Sequence, residues 1–153
     1  MILYHFTSRE RLPIILESGL SKGEVPLNDR ETLNAVNLTT DPSPHGHGLD
    51  HAGHVVTDDE SARIFLRTDS LIPPGTVYIN KKAVRITVKI PSSDRALKDY
   101  LPWARKHIEP NYLRRLIAVS GGGNAKAKTW KLYFGVIEPR AFVAVDMLEP
   151  GNG

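Results

Sequence analysis

Six histidines and no cysteine mark the chemistry open to this 153-residue chain, with imidazole abundant and thiol absent. No disulfide and no cysteine nucleophile can form. His5 lies in the apolar-aromatic run of residues 2–6 (ILYHF), one residue before the run ends and two before Thr7. A buried imidazole needs hydrogen-bond partners for its ring nitrogens, so a satisfied core histidine is one reading. The other is a ligand-binding strand end. There the main chain at Phe6 is free to bind something other than a neighbouring strand.

Four of the six histidines, His45, His47, His51 and His54, fall within ten residues, with Asp50 among them. Imidazole and carboxylate together suit zinc, nickel or copper. The glycines and prolines between them argue against a helix that would align them, and ordering mobile ligands costs entropy. A metal site, a ligand-facing active-site loop and a solvated loop all remain open, and no metal is assigned.

Charge is unevenly spread behind a net value of +3. Between Arg105 and Lys131 seven cations face one acid, Glu109, whereas residues 41–60 carry five acids and no Lys or Arg. Such a basic stretch suits phosphate, of a nucleotide or of nucleic acid, and equally a solvated helix face. Trp103, Tyr112, Trp130 and Tyr133 interleave with the cations. Trp130 and Tyr133 are expected in the core, and Tyr112 with Arg115 on a surface. The Gly121–Gly123 run lacks the Lys-Ser/Thr ending of a phosphate loop.

The elements that must position these groups read as follows. A strand over 2–6 leads into a helix from about Ser8 or Leu12 to Ser18, with Pro13 in its first turn and Gly19 as its stop. Residues 35–40 form a second strand, ended by Asp41-Pro42. Residues 43–56 read as a long loop, and residues 58–66 as a short helix with Ala62, Phe65 and Leu66 inward. Residues 76–79 and 83–90 read as strand, turn, strand, and in the second Val84, Ile86, Val88 and Ile90 alternate with polar residues. A helix from Ser92 or Ser93 to about Ile108, a second from Pro110 to Leu116, and a glycine hinge at 120–124 follow. Residues 131–137 and 141–147 read as a closing strand pair joined at Glu138-Pro139-Arg140. Strands at both ends with helices between them give a single α+β domain over 1–153.

The opening LYHFTSRERLPIILESGL resembles the start of ADP-ribosyltransferase-like proteins, above all the small nucleic-acid-modifying toxins. Those proteins carry His-x-Thr on strand one, followed by a Leu-Pro-x-Ile helix closed by Gly-Leu. AVNLTTDP is similar to the family's second strand, and WKLYFGVIEPRAFVAV to its end. The resemblance implies a split β-sheet with flanking helices and an NAD pocket. It implies His5 on the ribose hydroxyls, the Phe6 main chain on the nicotinamide amide, and Thr7 and Thr39 lining the same site. The implied function is NAD-dependent ADP-ribosyl transfer to a macromolecular acceptor, nucleic acid or protein, of toxin or effector type. The acceptor would be met through Arg114, Arg115, Lys126 and Lys128. Where the family places a catalytic acid, this chain reads Thr129-Trp130-Lys131, and Glu138, seven residues on from Lys131, is the carboxylate assigned to catalysis beside His5. A noncatalytic nucleotide-binding or inhibitor domain and an RNA 2′-phosphotransferase-like enzyme are the alternatives.

Apolar residues at 41% and charged residues at 24% are ordinary globular composition. No stretch reaches the roughly 20 apolar residues of a membrane span, and the N-terminus lacks a secretory pattern. A cytoplasmic protein with no membrane partner is expected.

Overall fold

The computed structural model describes residues 1–50, 52–69 and 71–148. The chain is a mixed α+β unit built on a six-stranded antiparallel sheet in the order β6-β7-β4-β1-β5-β8. Its strands are β1 (Ile2–Thr7), β4 (Val36–Thr39), β5 (Val84–Lys89), β6 (Leu97–Asp99), β7 (Trp130–Tyr133) and β8 (Phe142–Met147). A separate two-stranded ribbon pairs β2 (Glu24–Pro26) with β3 (Thr32–Asn34). The helices are α1 (Leu12–Ser18), α2 (Asp58–Thr68), α3 (Tyr100–His107), α4 (Pro110–Val119) and α5 (Gly123–Ala127). No helix among the described residues is long and apolar enough to cross a membrane.

Strand alternation builds two cores. On one face Leu3, Val36, Leu38, Val84, Ile86 and Val88 are buried with Leu12 and Leu20 from the ends of α1. On the other, Leu132 packs against α3, α4 and α5 through Tyr100, Ala104, Leu113, Ile117 and Ala127. The alternation read in residues 83–90 is the one observed: Val84, Ile86 and Val88 are fully buried and Ile90 nearly so. The glycine stop of α1 is also present. Gly19 takes φ +85° and its N–H closes on the Ile15 carbonyl, a conformation where a side chain would meet the Ile137 carbonyl.

Several expected elements differ, each because tertiary pairing overrides local pattern. The helix expected from Ser92 or Ser93 begins only at Tyr100, since Leu97, Lys98 and Asp99 pair with Tyr133, Leu132 and Lys131 as β6. The closing strands do not form a hairpin. Both edges of β7 are taken, by β4 and β6, so a 3-10 turn at Pro139–Ala141 carries the chain across to β5. Residues 76–78 run beside 53–56 instead of pairing with β5, with Val55 bridging Val77. Helix α2 buries Ser61, while Phe65 and Leu66 stay exposed. The glycine hinge opens α5, and Tyr112 is buried beneath the Arg115 guanidinium.

Ile86 is fully buried and pairs with His5 on one side and Val145 on the other. Ile86→Ala is expected to cost about 2–5 kcal/mol in denaturant unfolding. Phe65→Ala, on the exposed side of α2, should stay within about 0.5 kcal/mol.

Candidate functional site

Strand β1 is matched to β5 along its whole length, six residue pairs from Ile2↔Lys89 to Thr7↔Val84. Its other neighbour, β4, meets it at a single registered pair, Tyr4↔Thr39. On either side of Tyr4 no further pair with β4 is registered, and on the Thr7 side the interval left at His5, Phe6 and Thr7 is referred to as the parting. Across it the His5 ring replaces a ladder contact: Nδ1–H donates to the Asn37 carbonyl at 2.8 Å. A carbonyl accepts only, so Nδ1 carries the proton and Nε2 of the neutral ring keeps its lone pair. Burial lowers the His5 pKa, the bond to Asn37 opposes this, and the nearby Arg11 charge adds to the lowering. The result is a half-buried neutral imidazole with one acceptor nitrogen at the end of a strand. Such a group can take a hydrogen bond from a hydroxyl or accept a proton.

The segment following β4 closes over the other side of the parting. Thr39 is buried, and its hydroxyl is fully used. Thr129 Oγ1 donates to the Lys126 carbonyl at 2.6 Å, so the Thr39 hydroxyl donates to Thr129 Oγ1 at 2.7 Å and accepts from the Asp41 N–H at 3.0 Å. Asp41 then collects the Lys126 ammonium, the Ser43 N–H at 3.0 Å and His47 Nε2 at 3.3 Å. Burial pushes the Asp41 carboxyl up, but Lys126, Ser43 and His47 together outweigh it and hold the group below its ordinary range.

His47 is the pivot of this loop. Trp130 Nε1–H, a donor only, points at His47 Nδ1 at 2.8 Å, which makes Nδ1 an acceptor and puts the ring proton on Nε2. Nε2–H is shared between the Ser43 carbonyl at 3.0 Å and Asp41. The ring stacks on Phe6 with centroids 6.0 Å apart and planes 17° from parallel. Burial lowers the His47 pKa against the raising effects of Ser43 and Asp41. The Trp130 N–H acts in the same sense, since a second ring proton would face it. The loop is fastened to α4 as well, by Gly48 N–H to the Ser120 carbonyl at 3.0 Å.

Neither His45 nor His54 joins this one. His45 is exposed, His54 pairs with Glu60 at 2.8 Å at the start of α2, and His51 lies outside the described residues. Among the described residues no three metal-ligating side chains converge.

Of the residues assigned from the sequence, His5, Phe6 and Thr7 lie together on β1 at the parting, with Thr39 opposite Tyr4. Glu138 lies elsewhere. It precedes the 3-10 turn beside Gly19, exposed and paired with Arg140 at 2.7 Å. Lys131, where an acid was sought, pairs with Asp99 of the adjacent β6, so its charge is compensated. Continuing the Tyr4↔Thr39 register by one residue sets His5, Leu38, Lys131 and Asp99 in one row across four strands.

Sequence reasoning missed Arg85, which pairs Phe6 across the strands. Its guanidinium lies over the Tyr4 ring, donates to the Pro42 carbonyl at 2.9 Å and reaches Asp146 at 3.3 Å. Its place among the outward residues of an alternating strand was the available signal. Trp130 and His47 carry no such signal, because 83 residues separate them.

With this geometry in view, comparison with protein families, curated proteins and solved structures finds no match to the chain. The structure defines a class at the level of a mixed α+β unit on a six-stranded antiparallel sheet.

Two predictions follow from the histidines. Trp130→Phe keeps the ring but strips the donor from the buried His47 Nδ1, and should cost about 1–3 kcal/mol in urea unfolding. The second concerns pH. His5 and His47 both have lowered pKa values, so below about pH 6.5 the unfolded chain binds protons that the folded chain does not. Stability is then highest above that pH and falls as acid is added, down to the folded-state pKa values. The double variant His5→Gln/His47→Gln should show a flatter urea midpoint between pH 7.5 and 5.5. An unchanged slope would contradict the assignment.

Proposed function

We propose that the chain binds NAD at the parting of β1 and β4 and transfers its ADP-ribose to a macromolecular acceptor, as a toxin- or effector-type enzyme. The observation that carries this reading is His5, a neutral imidazole whose Asn37 bond leaves Nε2 as an acceptor at an open strand end. An acceptor nitrogen there suits a ribose hydroxyl. Main chain released from its β4 partner suits the nicotinamide amide, through Phe6, with Thr7 lining the same site. These assignments draw on the resemblance of the opening segment to ADP-ribosyltransferases. Thr39, with its hydroxyl committed to Thr129, serves by fastening the loop that carries His47.

Departure of nicotinamide builds positive charge on the ribose, which a carboxylate stabilises. The only acid in the His5 row is Asp99, already paired with Lys131. This pair favours a second reading, a domain that binds the nucleotide and transfers nothing. For the acceptor, Lys126 is tied to Asp41, and among the described residues Arg114, Arg115 and Lys128 make no ion pair.

Saturating NAD is expected to raise the melting temperature. At a hundredfold excess over the dissociation constant the gain is about 2.7 kcal/mol, and each kcal/mol moves a domain of this size by about 2–4 °C. His5→Ala should remove the shift while the protein stays folded. A full shift in His5→Ala, or none in the parent, would sink the nucleotide reading. Nicotinamide release measured with and without single-stranded nucleic acid then separates transfer from binding alone.

A further inference from the structure

The six-stranded sheet ends in two unlike edges. One is β6, three residues long, with Lys98 and Asp99 exposed on it. Short, charged strands keep an open sheet edge from pairing with another chain. The other is β8, six residues with the sequence FVAVDM and no lysine, arginine or proline. Its one charge, Asp146, is drawn back to Arg85 of β5 at 3.3 Å. Val143, Val145 and Met147 are 59%, 38% and 57% exposed.

The backbone of β8 is open as well. Leu148 lies one step on from the Met147↔Val84 pair, and its N–H donates to the Ala83 carbonyl at 2.9 Å. Antiparallel ladders alternate, so Ala144 and Asp146 turn their main chain to β5, whereas the N–H and C=O of Val145 and Met147 point away from it. Among the described residues no backbone group meets them. A bulge at Val143, between Thr87↔Ala144 and Val88↔Phe142, bends the strand only near its start.

We infer that β8 is a dimer edge, on which a second copy of this chain pairs its own β8 antiparallel about a two-fold axis at Val145. The residue pattern is self-complementary in that register. Val145 meets the partner's Val145, Val143 meets the partner's Met147, and Ala144 meets the partner's Asp146. Exposed apolar groups thus face each other, and the two Asp146 carboxylates are kept apart. The outward main chain of Val145 and Met147 gains the hydrogen-bond partners it lacks. Such pairing is closed: it consumes β8 in both copies and leaves only the short, charged β6 edges, so assembly stops at two. Strand β5 separates this edge from β1, so dimer formation does not rest on NAD binding.

Sedimentation velocity of the full chain should show a monomer–dimer equilibrium that shifts to dimer with concentration. Val145→Lys sets two cations against each other at the axis and should leave a monomer with an unchanged far-UV circular dichroism spectrum. The register is read separately by cysteine substitution, which is clean because the chain has no cysteine of its own. Residues opposed at Val145 lie about 5.5 Å apart between Cα atoms, within reach of a disulfide. Mild oxidation should therefore link Val145→Cys into a covalent dimer. Val143→Cys alone should stay unlinked, because its own copy lies four residues away along the partner strand, about 13 Å; mixed with Met147→Cys it should link. A chain that is monomeric at every concentration, open-ended growth beyond two, a Val145→Lys variant that still dimerises, or a Val145→Cys variant that does not link would each overturn the inference.

Discussion

The rest of the structure depends on how β1 is held: fully paired to β5 and joined to β4 at one point. A central strand with one side of its main chain unpaired is costly, because each N–H and C=O away from water needs a partner. The chain meets part of that demand with a side chain, His5 reaching the Asn37 carbonyl. That single substitution of imidazole for backbone fixes the tautomer and leaves an acceptor nitrogen on the ring, while burial favours its neutral form. Tyr4 below it and Ile86 across from it hold the strand in place from the other sides.

Such an opening would collapse or flood without a wall, and the segment after β4 provides one. Its fastening is a chain of directed bonds that runs from Thr39 through Thr129 and Asp41 to His47 and Trp130. Each member is satisfied by the next, so the network orders a glycine-rich loop that has no apolar repeat of its own. Gly46 and Gly48 take positive φ, which lets the loop turn back on itself and bring His47 flat against Phe6. A second proton on His47 would face the Trp130 N–H, so the wall favours the neutral ring.

The charges divide in a similar way. Lys126 and Lys131 sit near the parting, and both are neutralised by carboxylates, Asp41 and Asp99. Among the described residues Arg105, Lys106, Arg114 and Arg115 of α3 and α4 make no ion pair and are exposed. One basic stretch in the sequence thus serves two physical purposes. Part of it locks the loop to the sheet, and part stands in solvent on α3 and α4.

What the sequence determined by itself was local. The 2.0-residue period of residues 84–90 told which side of β5 is buried, because alternation is set by backbone geometry alone. Gly19 marked the end of α1 because its positive φ excludes side chains. The run ILYHF followed by Thr7 marked a strand with an odd member at its end. Tertiary structure decided the rest. Whether residues 97–99 extend or coil was settled by β7 offering an edge, and whether residues 142–147 fold back was settled by β7 having none left. His47 became a structural pivot only because Trp130, distant in sequence, brought it a donor. His5 itself was visible in the opening strand, but the partner that fixes its tautomer and leaves Nε2 as the acceptor is a main-chain carbonyl, and carbonyls look alike in every sequence.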